Sequence, residues 1–233
     1  FKPANDGFKA LLQTEEAKAN VLEIDLAAAG IWDADDSAAY AANWRAGKYR
    51  QSLYVNNELQ TVARWPNGVN YEVVFADGAK SGRSILFPEE KAALWANETN
   101  IRAYGCPEFE WSAFHFMNLS LVPGTSELPV NQTFNKGMPI FVFNIACELD
   151  EPGEYYWDVD ADKLYYWPED GFETAKISFS QFVDSVIGMT GTDFVTFDGF
   201  TFENLRYNAV SSEYSLDSDH VTVSSCVFRC IAY

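Results

Sequence analysis

The segment Val195-Thr196-Phe197-Asp198-Gly199-Phe200-Thr201-Phe202 is matched without a gap, 26 residues on, by Val221-Thr222-Val223-Ser224-Ser225-Cys226-Val227-Phe228. Val195 falls over Val221, Phe197 over Val223, Phe200 over Cys226 and Phe202 over Phe228. Each copy alternates apolar and polar residues, breaks at two polar or small positions, then alternates again. Such a repeat reads as strand, bend, strand, with one coil laid on the next at about 4.8 Å. Like side chains then stack inward and bury a continuous apolar column, which defines a parallel β-helix. Ile177-Ser178-Phe179 and Val186-Ile187-Gly188-Met189 read as a shorter, irregular coil before the first copy. A sandwich of short β-strands is the competing reading of the same alternation.

Upstream, period-two patterning also prevails. Val21-Leu22-Glu23-Ile24-Asp25-Leu26 is a strand that ends at Gly30. Leu53-Tyr54-Val55 leads through Asn56-Asn57 into a second arm running from Leu59 to Trp65. This is a hairpin, since Asn tolerates the positive φ that a two-residue turn requires. Ile140 to Ile145 is a further strand, and Tyr155 to Asp158 with Leu164 to Pro168 forms an aromatic-rich hairpin about the turn Val159 to Lys163. Helix-favouring runs are confined to Glu15–Leu22 and to Ala38–Ala46, the latter preceded by the capping residue Ser37.

The aromatic hairpin also spaces Asp158, Asp160, Asp162 and Glu169 as in a calcium-binding loop. Lys163 stands where that loop needs Gly, and strands flank it instead of helices, so an EF-hand is excluded. No metal site is assigned, and no cofactor is implied.

With 34 Asp and Glu against 16 Lys and Arg, the formal net charge is −18. That charge repels nucleic acid and anionic membrane surfaces, so neither is an expected partner. No apolar run approaches the length of a membrane span, so no membrane insertion is expected. The first residue is Phe, which is expected to reflect a processed or merely observed N-terminus.

Four cysteines are too few for a disulfide scaffold, and their spacing is not that of a zinc site. Cys226 and Cys230 would stand roughly 13 Å apart in an extended strand, too far for a bridge unless the chain turns between them, and Cys226 reads as a buried apolar side chain. Cys106 and Cys147 are the candidate pair if the protein is secreted. Asn-x-Ser/Thr sequons occur at Asn97, Asn118 and Asn131. Three is near the chance number, but all fall within one 35-residue stretch, which suits an exposed, glycosylated insert.

Beyond these local patterns, the chain resembles the N-terminal portion of the right-handed parallel β-helix glycoside hydrolases, a group with β-xylosidase-like and α-fucosidase or xylanase-like members. The resemblance rests on Ile24-Asp25-Leu26-Ala27-Ala28-Ala29-Gly30, on Leu53 to Leu59, and on Ala63-Arg64-Trp65-Pro66-Asn67. It continues through Asn144-Ile145, Glu148-Leu149-Asp150-Glu151-Pro152-Gly153-Glu154 with the aromatic hairpin, and Val195 to Asn204. Asn57 stands where the first hairpin's turn usually has Gly, and residues 69–139 match only loosely.

The resemblance implies an all-β chain that begins a right-handed parallel β-helix. Residues 1–68 would supply N-terminal strands, a short helix and a hairpin, and 69–139 a variable β-rich insert. Residues 140–175 would form the strand and aromatic hairpin, and 176–233 the first coils of an incomplete helix. Such enzymes cleave glycosidic bonds with two carboxyl groups, carried on later coils, so no residue here is assigned as catalytic. Asp198, Glu203, Asp217 and Asp219 read as turn residues. Arg64 and Trp65 are candidate sugar contacts, although their place beside Pro66-Asn67 also suits simple packing. Two functions are expected in turn: the N-terminal portion of a secreted, extracellular glycoside hydrolase acting on a polysaccharide or glycan, or a non-catalytic structural or filament-forming β-helix glycoprotein. In either, the open β-helix end would be capped by further chain or by a neighbouring subunit.

Overall fold

The computed structural model describes residues 1–31, 52–68, 83–109, 111–130, 132–135, 137–180, 185–206, 208–212 and 217–231. Strands dominate and helices are few and short, so the fold class is all-β. The sheets are small and separate. The chain divides into two compact units, residues 1–46 with 61–172, and residues 47–60 with 173–233. The helix expected over 38–46 lies outside the described residues.

In the first unit, local capping sets two short helices. Asn5 accepts the Phe8 N–H at 3.0 Å and starts Asp6–Lys9, and Thr14 accepts the Ala17 N–H at 3.1 Å and starts Glu15–Asn20. The second helix stops short of Leu22, because Val21 is already extended and feeds strand Leu22–Asp25. The aromatic hairpin forms as its alternation requires, Glu154–Asp158 against Lys163–Tyr166, with Asp162 left-handed at φ 51° in the turn. It occupies the middle of a five-stranded sheet ordered Lys2–Pro3, Leu22–Asp25, Lys163–Tyr166, Glu154–Asp158, Thr61–Val62. Only the last pair is parallel.

A four-stranded antiparallel sheet is ordered Arg64–Trp65, Ile140–Phe143, Ile101–Gly105, Phe114–Leu119. Ser84–Leu86 pairs with Glu127–Pro129. The arm expected from Leu59 to Trp65 is therefore not one strand. It is cut into Glu58–Leu59, Thr61–Val62 and Arg64–Trp65, each in a different sheet. A helix, Glu89–Leu94, appears within the stretch expected to be β-rich.

Two apolar clusters hold this unit. One joins Ala103, Phe116, Ile140 and Val142 of the four-stranded sheet to Phe87 and Trp95. The other packs Phe8, Leu12 and Ala17 of the helical segment against Tyr165 and Trp167, with the Phe8 and Tyr165 rings stacked at 5°. Each of the large apolar side chains among these contributes about 1.5–3 kcal/mol of burial.

In the second unit, Leu53–Val55 turns through Asn56 and Asn57 (φ 51° and 64°) onto Glu58–Leu59, and Ile177–Phe179 pairs antiparallel on its other side. Three parallel two-stranded pairs follow: Ile187–Met189 with Val210–Ser212, Thr196–Asp198 with Thr222–Ser224, and Thr201–Leu205 with Val227–Ile231. Thr196 faces Thr222 and Phe202 faces Phe228, the 26-residue offset read from the sequence, whereas Ile187 faces Val210, an offset of 23. Left-handed residues recur at the same spacing: Phe194 and His220 (φ 59° and 57°), Gly199 and Ser225 (75° and 54°), Asn204 and Cys230 (57° and 55°). The Phe202 and Phe228 rings stack at 5.0 Å and 16°.

Burial in these pairs is less complete than an enclosed apolar column requires. Phe202 is buried, but Phe200, Val223, Val227 and Phe228 are each close to half exposed. Cys226, expected to be buried, is only partly so, with its thiol directed at the Phe197 and Ser224 carbonyl oxygens. Among the described residues, the strand Val227–Ile231 pairs with Thr201–Leu205 and with no other strand.

Candidate functional site

The first unit contains a cleft of about 640 Å³, built where four local elements end. The turn after helix Asp6–Lys9 supplies Leu11 and Gln13, and the C-terminal end of helix Glu89–Leu94 supplies Leu94. The following loop brings Asn97, Glu98 and Asn100, and the strand Glu154–Asp158 with its turn brings Tyr156, Asp158 and Asp160. No lysine or arginine lines it among the described residues. The cleft is therefore acidic, with one aromatic wall and several amide groups.

Glu98 is the central acid. Its backbone N–H closes the helix end on the Trp95 carbonyl at 2.9 Å, and its carboxylate accepts the Ala146 N–H at 2.9 Å. Burial pushes its carboxyl above the ordinary range and the negative charge of Asp158 adds to this, outweighing the Ala146 hydrogen bond. Glu98 thus keeps its proton to higher pH than a free carboxyl. Asp158 is oriented by its own turn, accepting the Ala161 N–H at 3.0 Å.

Burial also raises the Tyr156 phenol, reinforced by the charges of Glu98 and Asp158, so the ring faces the cleft as a neutral hydrogen-bonding wall. The Cys147 thiol is pushed up to about 12, chiefly by burial and then by Glu148 and Glu98, which leaves it protonated and unsuited to nucleophilic attack near neutrality. The cleft offers carboxyl groups, amides and an aromatic face. That combination suits hydroxyl-rich or cationic ligands and repels anions.

Asn144 fixes the geometry of this region. It is buried and left-handed (φ 59°), accepting the Trp157 N–H at 3.0 Å and donating to the Trp157 carbonyl at 3.1 Å. It ties the end of strand Ile140–Phe143 to the aromatic hairpin, and so sets where Asp158 falls.

A second polar centre sits behind the cleft wall residue Cys147. Glu148, buried, accepts from Lys91 Nζ at 2.8 and 2.6 Å and from Trp95 Nε1 at 2.8 Å. Close by in sequence, the buried Glu154 carboxylate accepts the Asp150 and Glu151 N–H groups, and Asp150 accepts from Asn67 Nδ2 at 2.8 Å. These contacts brace the turn Glu148–Glu154.

The sequence-derived candidates take separate places. Arg64 lies over the Phe141 ring at 3.7 Å and its Nε donates to the Pro66 carbonyl at 3.1 Å, whereas Trp65 meets Phe87 and Trp95 edge to face. Neighbours on a strand point to opposite faces, so the two side chains pack against different aromatic groups. Cys106 and Cys147 are both buried and are not joined in a disulfide. Asn97 is exposed at the cleft, Asn118 is exposed on strand Phe114–Leu119, and Asn131 lies outside the described residues.

In the second unit, Asp198 accepts from Ser224 Oγ at 2.8 Å, and Glu203 pairs with Lys176 and Arg229, which hold its carboxyl below the usual range. Among the described residues, no three His, Cys, Asp or Glu side chains are grouped as metal ligands. No helix among them is long and apolar enough to cross a membrane.

Glu98 escaped the sequence reading, although it is the middle residue of the Asn97 sequon. Asp158 and Asp160 drew notice only through the rejected calcium pattern. Neither carries a local signal that it meets the other across 60 residues.

No protein family matches the sequence, and no curated protein matches it. One solved structure, described as "Glycoside hydrolase", superposes at a TM-score of 0.48 with 14% identity, over 79% of this chain. The chain spans 31% of that structure's length. Similarity of this size does not define a shared fold.

Proposed function

We propose that this chain forms the opening coils of a right-handed parallel β-helix in a secreted carbohydrate-active protein of the glycoside hydrolase type. The observation that carries the reading is the 26-residue recurrence in the second unit. It governs strand register and left-handed corners together: Phe194, Gly199 and Asn204 are each followed one repeat later by a residue of the same conformation. Corners and two of the three parallel strand pairs that repeat with one period support coils stacked by translation, not a sandwich. Carbohydrate activity is supported by the sequence resemblance carried by Ala63 to Asn67, Glu148 to Glu154 and the aromatic hairpin. Secretion is supported by the clustered sequons, two of which are exposed.

In this reading the cleaving carboxylates belong to further coils stacked on Val227–Ile231. Glu98, engaged by the Ala146 N–H, serves to fix the cleft wall. The test is hydrolysis of a panel of aryl xylosides, fucosides and related glycosides by the polypeptide that contains these coils. Turnover that survives Glu98→Gln is expected. No turnover on the whole panel overturns the enzyme reading, and loss of turnover in Glu98→Gln would move the chemistry into the cleft.

The half-exposed Phe200, Val223, Val227 and Phe228 favour a second reading, an assembly module whose open edge is covered by another subunit. Concentration-dependent sedimentation without turnover would establish it.

A further inference from the structure

The loop between strands Ile101–Gly105 and Phe114–Leu119 carries two large aromatic side chains in water. Trp111 is 83% exposed and Phe109 52% exposed. Their rings are nearly parallel, 13° apart with centroids at 5.4 Å. Leaving two such surfaces outside the core forgoes several kcal/mol of burial, about 1.5–3 for each ring, and adjacent exposed apolar groups mark a binding surface. The base of the loop is anchored. The Cys106 N–H donates to the Pro139 carbonyl at 2.8 Å, the Asn135 N–H to the Pro107 carbonyl at 2.8 Å, and the Ser112 N–H closes a turn on Phe109 at 2.9 Å. Rings that already stack on each other lose less freedom when a ligand docks, which lowers the entropic cost of binding.

Charge narrows the ligand. At a net charge of −18 the protein repels polyanions, anionic membranes and, at low salt, a second copy of itself. A neutral saccharide suffers none of this repulsion. The C–H face of a sugar ring packs on an aromatic face, and its hydroxyls need acceptors such as the carboxylate of Glu108, which is exposed and precedes Phe109 in the chain.

We propose that Phe109 and Trp111 form a stacking platform for a neutral polysaccharide chain. This rests on the carbohydrate-active reading but not on where cleavage occurs. Native gel electrophoresis of the full chain through arabinoxylan, xyloglucan, galactomannan and mixed-linkage glucan, with pectin as the anionic comparison, tests it. Retardation by at least one neutral polysaccharide is expected. Trp111→Ala and Phe109→Ala should each weaken it by about tenfold or more with unchanged unfolding temperature, and Trp111→Phe should keep most of it.

Absence of retardation by every neutral polysaccharide, retardation by pectin alone, or retardation unchanged in Trp111→Ala overturns the platform. Self-association abolished by Trp111→Ala also overturns it, and assigns the surface to a second copy. Turnover without retardation removes this inference alone. Retardation without turnover on any glycoside removes the enzyme reading alone.

Discussion

Asn204 and Cys230 share one left-handed backbone conformation, φ 57° and 55°, at equivalent positions of two paired strands, yet only one of them is a residue that adopts it readily. Asn204 Nδ2 donates to Asn57 Oδ1 at 3.0 Å and Ser178 Oγ at 3.2 Å, so its side chain also laces neighbouring segments together. Asn204→Val places a β-branched residue at positive φ and removes both bonds. It should cost about 2–3 kcal/mol. Cys230→Asn should be neutral or stabilising by up to about 1 kcal/mol, since Asn tolerates this conformation and can donate to the Asn57 carbonyl that the Cys230 thiol now meets. Urea denaturation of the two variants measures both, and a larger loss in Cys230→Asn than in Asn204→Val would contradict equivalent corners.

The Glu148 carboxylate is 2% exposed at its side chain and is neutralised by Lys91, with Trp95 as a further donor. Removing one member of a buried pair leaves the other charge without compensation. Lys91→Met is therefore expected to lose about 3–5 kcal/mol, whereas Lys18→Met, which breaks an exposed pair with Glu15, should lose less than about 1 kcal/mol. Denaturant titration separates the two, and equal losses would show that Glu148 is not held by Lys91.

Burial raises the Glu154 carboxyl from its ordinary 4.5 to about 8, against the two backbone N–H groups that favour its ionised form. A raised carboxyl means that the folded state binds the proton more tightly than the unfolded state. Its stabilising share is complete below pH 4.5 and is lost progressively as pH rises to about 8. Burial shifts Asp150 and Glu98 in the same direction. Unfolding temperature should fall between pH 5 and pH 9, and Glu154→Gln should flatten that slope. A slope unchanged by Glu154→Gln would assign the effect to the other two carboxyls.

Gly105 is required for steric reasons. A Cβ there would stand 2.5 Å from the Pro139 carbonyl oxygen and 2.9 Å from Ile140 Cα, both backbone atoms that cannot step aside. Gly105→Ala should therefore destabilise by about 1–3 kcal/mol or more. At Gly188, where φ is not positive, a Cβ would meet nothing within 4 Å, so Ala should be accepted with little change. Thermal unfolding of the pair checks this, and a neutral Gly105→Ala would mean that the two strands can separate without cost.

What the sequence determined by itself was period and turn chemistry. Alternation marked the aromatic hairpin and the strand Ile140–Phe143, and Asn56-Asn57 marked a turn that needs positive φ. The 26-residue self-match fixed the register in which Thr196 meets Thr222 and Phe202 meets Phe228. These are local properties, or comparisons of the chain with itself, so they need no knowledge of packing.

The tertiary structure decided which distant groups meet. It cut the arm from Leu59 to Trp65 among three sheets, and sent Arg64 to Phe141 and Trp65 to Trp95. Only the packing of helix Glu89–Leu94 beside the aromatic hairpin brought Glu98 into the field of Asp158. Burial and charge proximity depend on how sheets and helices close on one another, and no spacing along the chain encodes that closure.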